Sequence, residues 1–117
     1  MLPRMRLPGA ERAFVDPAKV RDYLLSTEHP TGRWKARFFR SLGYEATTWY
    51  RLQHDLRRLA LLDRARLLRA SLYGEKLQLD AMLHGPSDRA AHVVTIWIVR
   101  RGEDFPRFIT AYPGFFG

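Results

Sequence analysis

Apolar residues recur every three or four positions through the first half of the chain, which predicts helices there. Asp16-Pro17 is typical of a helix start, because the Asp side chain accepts a backbone N–H and proline fits the first helical position. We expect this first helix to run to about Ser26. It ends before His29-Pro30, because a residue that precedes proline avoids the α region.

Two further helices are predicted before residue 63. The second covers about residues 32–42 and stops at Gly43, a residue type favoured just after a helix end. Its core face is predicted from positions four apart, which are Trp34, Phe38 and Leu42. A basic stripe lies beside that face and comprises Arg33, Arg37 and Arg40. The third helix begins after Thr47 or Thr48 and ends at about Leu62.

After residue 63 the apolar positions alternate with a period of two, which predicts strands. Leu68, Ala70 and Leu72 alternate in the first of these. The second alternates over residues 76–83, and residues 91–99 are apolar at nearly every position, as in a central strand. The last strand covers about residues 105–112. Short polar or glycine-containing segments separate all four.

Helices followed by strands predict the fold class α+β, with three N-terminal helices packed on a four-stranded antiparallel meander sheet. The length of 117 residues fits a single domain. Within residues 1–117 we expect an extended N-terminal arm over residues 1–11, a helical layer over residues 16–62 and the sheet over residues 64–113.

Composition narrows the possible functions. A hydrophobic content of 46% excludes global disorder, and no apolar run approaches the roughly 20 residues of a membrane span. The N-terminus lacks the apolar stretch of a signal peptide, so we expect a cytoplasmic protein. The chain has no cysteine, and its four histidines lack the spacing of a helix-borne metal site. We therefore predict neither a metal nor a cofactor.

The net charge of +8 is concentrated in one tract of the chain. Residues 33–69 contain ten Arg or Lys and three acidic residues, whereas the other eighty residues are close to balanced. A high-GC genome would explain why seventeen of the twenty bases are Arg, but it would not explain the clustering. Because the guanidinium fork suits phosphate, the tract predicts a surface that faces a polyanion such as RNA.

His29 and Lys35 are candidates for chemistry at the edge of this tract. Histidine transfers protons near neutral pH, and the start of the second helix would attract a phosphate to it. Lys35 lies in the first turn of that helix, where a cation is unfavourable unless an anion binds nearby. The alternatives are a surface histidine in a turn and a solvated lysine.

Alternation along the last two strands suggests a second half of the site. If Val94, Ile96 and Ile98 face the helices, Thr95 and Trp97 face the other way, and Thr110 and Tyr112 would share their surface. Hydroxyl groups there would hold phosphate oxygens and aromatic rings would stack on a base. Arg107 is a candidate phosphate clamp. The alternative is ordinary β-propensity, since Thr, Tyr and Trp all favour strands.

Four segments together resemble a family of short uncharacterised bacterial domains. They are H-P-x-G-x-x-K-A-x-F-F from His29, a Y-G turn at Tyr73, V-V-T-x-W from Val93 and P-R-F-I-T-A-Y-P from Pro106. Members of this family stand alone beside a small partner protein or form the C-termini of polymorphic toxins. The resemblance covers about residues 7–114, and Trp34 stands where it implies a smaller polar or basic residue.

The order of elements is similar to that of the barnase–EndoU–colicin–RelE group of metal-independent RNases. The resemblance implies five site residues, which are His29, Lys35, Thr95, Thr110 and Tyr112. In that scheme His29 is the general base or acid, and Lys35 or Arg107 stabilises the developing charge. Tyr112 either stacks on a base or donates a proton.

We therefore predict a small metal-independent endoribonuclease of bacterial toxin type, in which a ribose 2′-OH attacks the adjacent phosphate and leaves a cyclic phosphate. The predicted nucleic-acid contacts are Arg33, Arg37, Arg40, Trp97 and Arg107. The alternative is a non-catalytic nucleic-acid-binding or partner-binding module. The candidate partners are RNA and a small acidic antidote protein.

Overall fold

The computed structural model describes residues 4–30 and 33–114. Within these ranges the chain forms three helices and a five-stranded antiparallel sheet. The helices are α1 (Pro17–Lys19, continued by a π-helical segment, Val20–Leu24), α2 (Arg33–Ser41) and α3 (Trp49–Leu62). The strands are β1 (Met5–Arg6), β2 (Arg64–Ser71), β3 (Gly74–His84), β4 (Ala90–Arg100) and β5 (Arg107–Pro113).

The predicted four-stranded sheet behind three N-terminal helices is wrong. Met5 pairs with Ala65 and Arg6 with Arg64, so a fifth strand, β1, lies at one edge of the sheet and precedes every described helix. The strand order is β1-β2-β3-β4-β5. A two-residue strand carries no periodic pattern, and its conformation depends on the partner strand that it meets.

The core lies between the helices and one face of the sheet. Its fully buried side chains include Leu24, Phe39, Leu52, Leu56, Leu77, Leu79 and Trp97. The alternation predicted for β3 is confirmed, because Leu77, Leu79, Ala81 and Leu83 are all buried. None of the helices within the described ranges has the length and apolar character that a membrane crossing requires.

The faces of β4 are the reverse of the predicted ones. Val93 and Trp97 belong to the same core cluster as the helical residues, whereas Val94 and Ile96 lie outside that cluster. Thr95 therefore points toward the helices and is fully buried. Both faces of β4 are covered, so the sequence pattern offers no contrast from which to choose between them.

The buried face of α2 agrees with the predicted one in part. Leu42, just after α2, is in the core and Phe38 packs against it, but Trp34 is 53% exposed. The buried residues of α2 itself are Lys35, Ala36 and Phe39. The apolar stem of a lysine can pass along a packed surface while its ammonium reaches polar partners, which makes Lys35 compatible with this face. The stripe of Arg33, Arg37 and Arg40 is exposed.

Strand β5 forms the second edge of the sheet, and the segment before α1 covers part of it. The Phe14 N–H donates to the Pro106 carbonyl, and the Phe108 N–H donates to the Phe14 carbonyl. The register between β4 and β5 shifts, so that Ile96 pairs with Thr110 but Trp97 pairs with Phe108. Ile109 is the extra residue of this β-bulge.

Candidate functional site

Lys35 lies where α2, the π-helical segment and β5 meet. Its side chain is mostly buried, with the whole residue 8% exposed. Its Nζ donates to the Tyr23 hydroxyl at 2.6 Å and to the Thr110 hydroxyl at 2.9 Å. These two bonds use two of the three ammonium protons. A single cation thus joins two helical segments to a strand that lies 75 positions further along the sequence.

The ring of Tyr23 connects Lys35 to His29. The Tyr23 and His29 rings meet edge to face, with centroids 5.0 Å apart, and Lys35 Nζ lies 4.9 Å from the Tyr23 ring centroid. The turn that carries His29 is held locally. Its backbone N–H donates to the Ser26 hydroxyl at 3.3 Å, and its carbonyl accepts from the Arg33 N–H at 3.0 Å.

These side chains line an open pocket of about 520 Å³ at the β5 edge. Its lining comprises Asp16, Ala18, Lys19, Tyr23, His29, Lys35, Ile109 and Thr110. Lys19 Nζ donates to the carbonyl of the bulge residue Ile109 at 3.1 Å, so a second cation sits beside the first. The Asp16 carboxylate caps α1 by accepting from the Ala18 N–H at 2.9 Å.

The electrostatics of the pocket act on the phenol of Tyr23. Partial burial would raise its pKa, but the hydrogen bonds with Lys35 and Thr110 and the charges of Lys35 and Lys19 outweigh burial. The net result is a Tyr23 pKa below the ordinary value of 10.0. A phenol in this setting gives up its proton more readily than a solvated tyrosine does.

Three of the five predicted site residues come together in this pocket, namely His29, Lys35 and Thr110. Thr95 is not among them, because its hydroxyl lies in the core, where it donates to the Leu79 carbonyl at 3.1 Å and accepts from the Trp97 indole at 2.8 Å. Tyr112 is half-buried and pairs with Val94 on the face that Thr110 shares, but it does not line the pocket. Thr31 and Gly32 of the motif lie outside the described residues.

Of the predicted nucleic-acid contacts, some are exposed and others are engaged by residues of the protein. Arg33, Arg37 and Arg40 are exposed on α2. Trp97 is buried in the core against Phe108, with ring centroids 5.4 Å apart. Arg107 forms two hydrogen bonds to the Glu103 carboxylate, at 2.9 Å and 2.8 Å, and its guanidinium lies 4.9 Å from the Phe105 ring centroid.

Two residues of the pocket, Lys19 and Tyr23, were missed by the sequence analysis. Both lie within the predicted first helix, and a buried tyrosine hydroxyl requires a hydrogen-bond partner. The two residues are four positions apart, which places side chains on one side of a helix. That spacing, together with the lysine at position 35, was the available signal for a cationic pocket.

Positive charge in the described site comes from lysine side chains. Among residues 4–30 and 33–114, no three His, Asp or Glu side chains are grouped so that they could hold a metal ion. The described site is thus an imidazole, a phenol, a threonine hydroxyl, two ammonium groups and the Asp16 carboxylate around one pocket. Such a set can exchange protons and stabilise negative charge on a bound anion.

The fold of this chain is similar to that of a solved structure. That structure is a contact-dependent growth inhibition toxin–immunity protein complex from Klebsiella pneumoniae 342. The TM-score is 0.69 over 92% of this chain and 97% of the matched chain, at 20% sequence identity. The chain belongs to the DUF6883 family, a domain of unknown function whose family pattern matches residues 6–115. No curated protein is significantly similar to it in sequence.

Proposed function

We propose that this protein is a small metal-independent endoribonuclease of bacterial toxin type that acts in the pocket around Lys35. The observation that carries the proposal is the Lys35 ammonium, which is bonded to the hydroxyls of Tyr23 and Thr110 beside the His29 ring. Cleavage of RNA without a metal requires a base, an acid and a fixed cation. The pocket supplies one candidate for each of these roles.

In the proposed reaction His29 takes the proton of a ribose 2′-OH. The 2′-oxygen then forms a bond to the adjacent phosphorus, and the bond from that phosphorus to the 5′-oxygen breaks. Tyr23 donates its proton to the leaving 5′-oxygen, a role that its lowered pKa favours. The products are a 2′,3′-cyclic phosphate and a 5′-hydroxyl.

The cations act on the charge that develops at phosphorus. Lys35 is held in place by its two hydroxyl partners, and its third proton is available to a phosphate oxygen. Lys19, whose Nζ donates to the Ile109 carbonyl, adds a second positive charge to the same pocket. Thr110 orients the phosphate. Because these side chains are held in place before the substrate binds, they need not reorient during the reaction.

The toxin assignment draws support from the comparison structure, which is a complex of a contact-dependent growth inhibition toxin and an immunity protein. An enzyme that cleaves RNA inside its producer would require an inhibitor, so we expect a small acidic antidote protein. A second candidate function is a non-catalytic nucleic-acid-binding or partner-binding module. The exposed arginine stripe of α2 favours it, because that stripe needs no catalytic pocket to bind a polyanion.

The test is cleavage of RNA in the presence of EDTA. We expect wild-type protein to produce 2′,3′-cyclic phosphate and 5′-hydroxyl ends, and His29→Ala to reduce the rate about 10²-fold or more. His54→Ala is the matched control, since His54 is exposed on α3 and does not line this pocket. Equal RNA survival with wild type and His29→Ala would contradict the proposal, and binding without turnover would favour the second candidate.

A further inference from the structure

A second pocket opens on the exposed side of α2. It measures about 350 Å³ and is lined by Thr27, Arg33, Trp34, Arg37 and Arg40. None of these described lining residues is acidic. Three guanidinium groups and an indole that is half in solvent are therefore concentrated in one cleft, which favours an anionic ligand with a planar group.

Trp34 joins this cleft to the pocket around Lys35. The two residues are neighbours in the first turn of α2, and Lys35 Nζ lies 5.5 Å from the Trp34 ring centroid. Trp34 lines the arginine cleft while Lys35 lines the catalytic pocket. A ligand that spans the indole would therefore reach both pockets.

We propose that the arginine cleft binds an unpaired nucleotide of the RNA substrate next to the scissile phosphate. Its base stacks on the Trp34 indole, and its phosphate oxygens accept hydrogen bonds from Arg33, Arg37 and Arg40. The assignment rests on the proposed function, because it takes the Lys35 pocket as the place of cleavage. It extends that function by naming single-stranded RNA as the substrate class.

Single-stranded RNA fits the cleft better than two other polyanions. In a duplex the bases are stacked on each other, so the indole would have no free base face to meet. An acidic peptide would satisfy the arginines but leave the indole plane without a planar partner. A base–aromatic contact is worth about 1–3 kcal/mol, which corresponds to about 5-fold to 150-fold in affinity.

The test uses a fluorescently labelled single-stranded RNA whose riboses are all 2′-O-methylated, so that it binds without being cleaved. We expect Trp34→Ala to weaken binding at least 5-fold and Trp34→Phe to retain most of the affinity, since phenylalanine keeps an aromatic face. Trp49→Phe is the control, because Trp49 is half-buried on α3 and does not line the cleft. Binding is measured by fluorescence anisotropy, with a duplex of the same sequence and polyglutamate as competitors.

Unchanged affinity in Trp34→Ala would overturn the inference. Equal competition by the duplex would also overturn it, and stronger competition by polyglutamate would assign the cleft to an acidic protein instead. The results distinguish a failure of the nucleotide subsite from a failure of the ribonuclease proposal. Cleavage that does not depend on Trp34 contradicts only the nucleotide subsite, whereas Trp34-dependent binding without any cleavage contradicts only the ribonuclease.

Discussion

Two physical effects disfavour a cation at the position of Lys35. It lies at the start of a helix, where the backbone dipole disfavours a cation, and it is largely withdrawn from water, which disfavours charge. The hydroxyls of Tyr23 and Thr110 replace part of the lost hydration. The ammonium of Lys35 is therefore solvated by two specific hydroxyl groups of the protein.

Tyr23 should make stability depend on pH in one direction. Its folded pKa lies below the ordinary 10.0, so as the pH rises toward 10.0 the folded protein loses this proton before the unfolded chain does. The unfolded state then binds more protons, and the free energy of unfolding gains a contribution that increases with pH. We expect the advantage of wild type over Tyr23→Phe, measured by urea denaturation at a series of alkaline pH values, to grow toward 10.0.

Tyr44 is a control, because its pKa is shifted in the direction opposite to that of Tyr23. Its hydroxyl is buried and donates to Asp55 at 2.5 Å, and burial and this bond raise its pKa above the ordinary range. The contribution of the Tyr44 phenol to the free energy of unfolding is complete below pH 10.0. It is lost as the pH rises further, because the phenol of the unfolded chain ionises first. A pH-independent difference between wild type and Tyr23→Phe would contradict the assigned electrostatics of the pocket.

At the scale of single elements, prediction from sequence succeeded for β3 and failed for the strand before it, where the predicted apolar residues Leu68 and Leu72 are exposed. Leucines alternate with polar residues along β3, and α3 ends at Leu62, where the helix was predicted to end. In β4 both faces are covered, so no pattern distinguished the side of Thr95 from that of Val94. On α2, Trp34 was assigned to the core face but is 53% exposed, whereas Lys35 is buried.

The loop between β3 and β4 holds the end of α2, and Gly85 is the close contact. A Cβ on Gly85 would lie 2.0 Å from the Leu42 carbonyl oxygen, and the Ser87 N–H donates to that same oxygen at 3.2 Å. We expect Gly85→Ala to lower the free energy of unfolding by about 1–3 kcal/mol, because backbone must shift to admit the methyl group. Chemical denaturation monitored by circular dichroism measures this change in the free energy of unfolding.

The matched substitution in this loop is Asp88→Gly. Asp88 already has a φ of 63°, a conformation that glycine adopts without strain, so we expect little loss of stability. Equal destabilisation by both variants would show that the loop tolerates no change at all. It would contradict a specific role for the contact between Gly85 and Leu42.

At the scale of the whole molecule, charge should govern encounters with RNA. The net charge is +8, and the α2 arginines lie on its exposed surface. Removing Arg37 and Arg40 together should make the logarithmic salt slope for single-stranded RNA shallower by about 1.4, since each lost phosphate contact contributes about 0.7. Arg100→Ala/Arg101→Ala is the control, because both residues are exposed outside the basic tract. Equal slopes in the two double variants would contradict this prediction.

The assembly of the site was only partly predictable at this scale. Residue types and charge identified His29, Lys35 and Thr110, but the contact between Lys35 and Thr110 spans 75 positions in the chain. Such a contact depends on how helices and sheet dock, and local patterns carry no information about that docking. Thr95, only fifteen residues before Thr110, was predicted to share its surface and lies on the opposite face of the sheet.

The bulge at Ile109 gives insertions and deletions in β5 an unusual importance. In a regular strand Phe108 and Thr110 would share a face; here Phe108 and Ala111 enter the core and Thr110 turns toward Lys35. A chain that lacked this one residue could keep His29, Tyr23, Thr110 and both lysines and still lose their convergence. Among related sequences, the number of residues between Pro106 and Pro113 should therefore indicate which of them form the pocket. Sequences with another number would contain the same residue types without bringing them together.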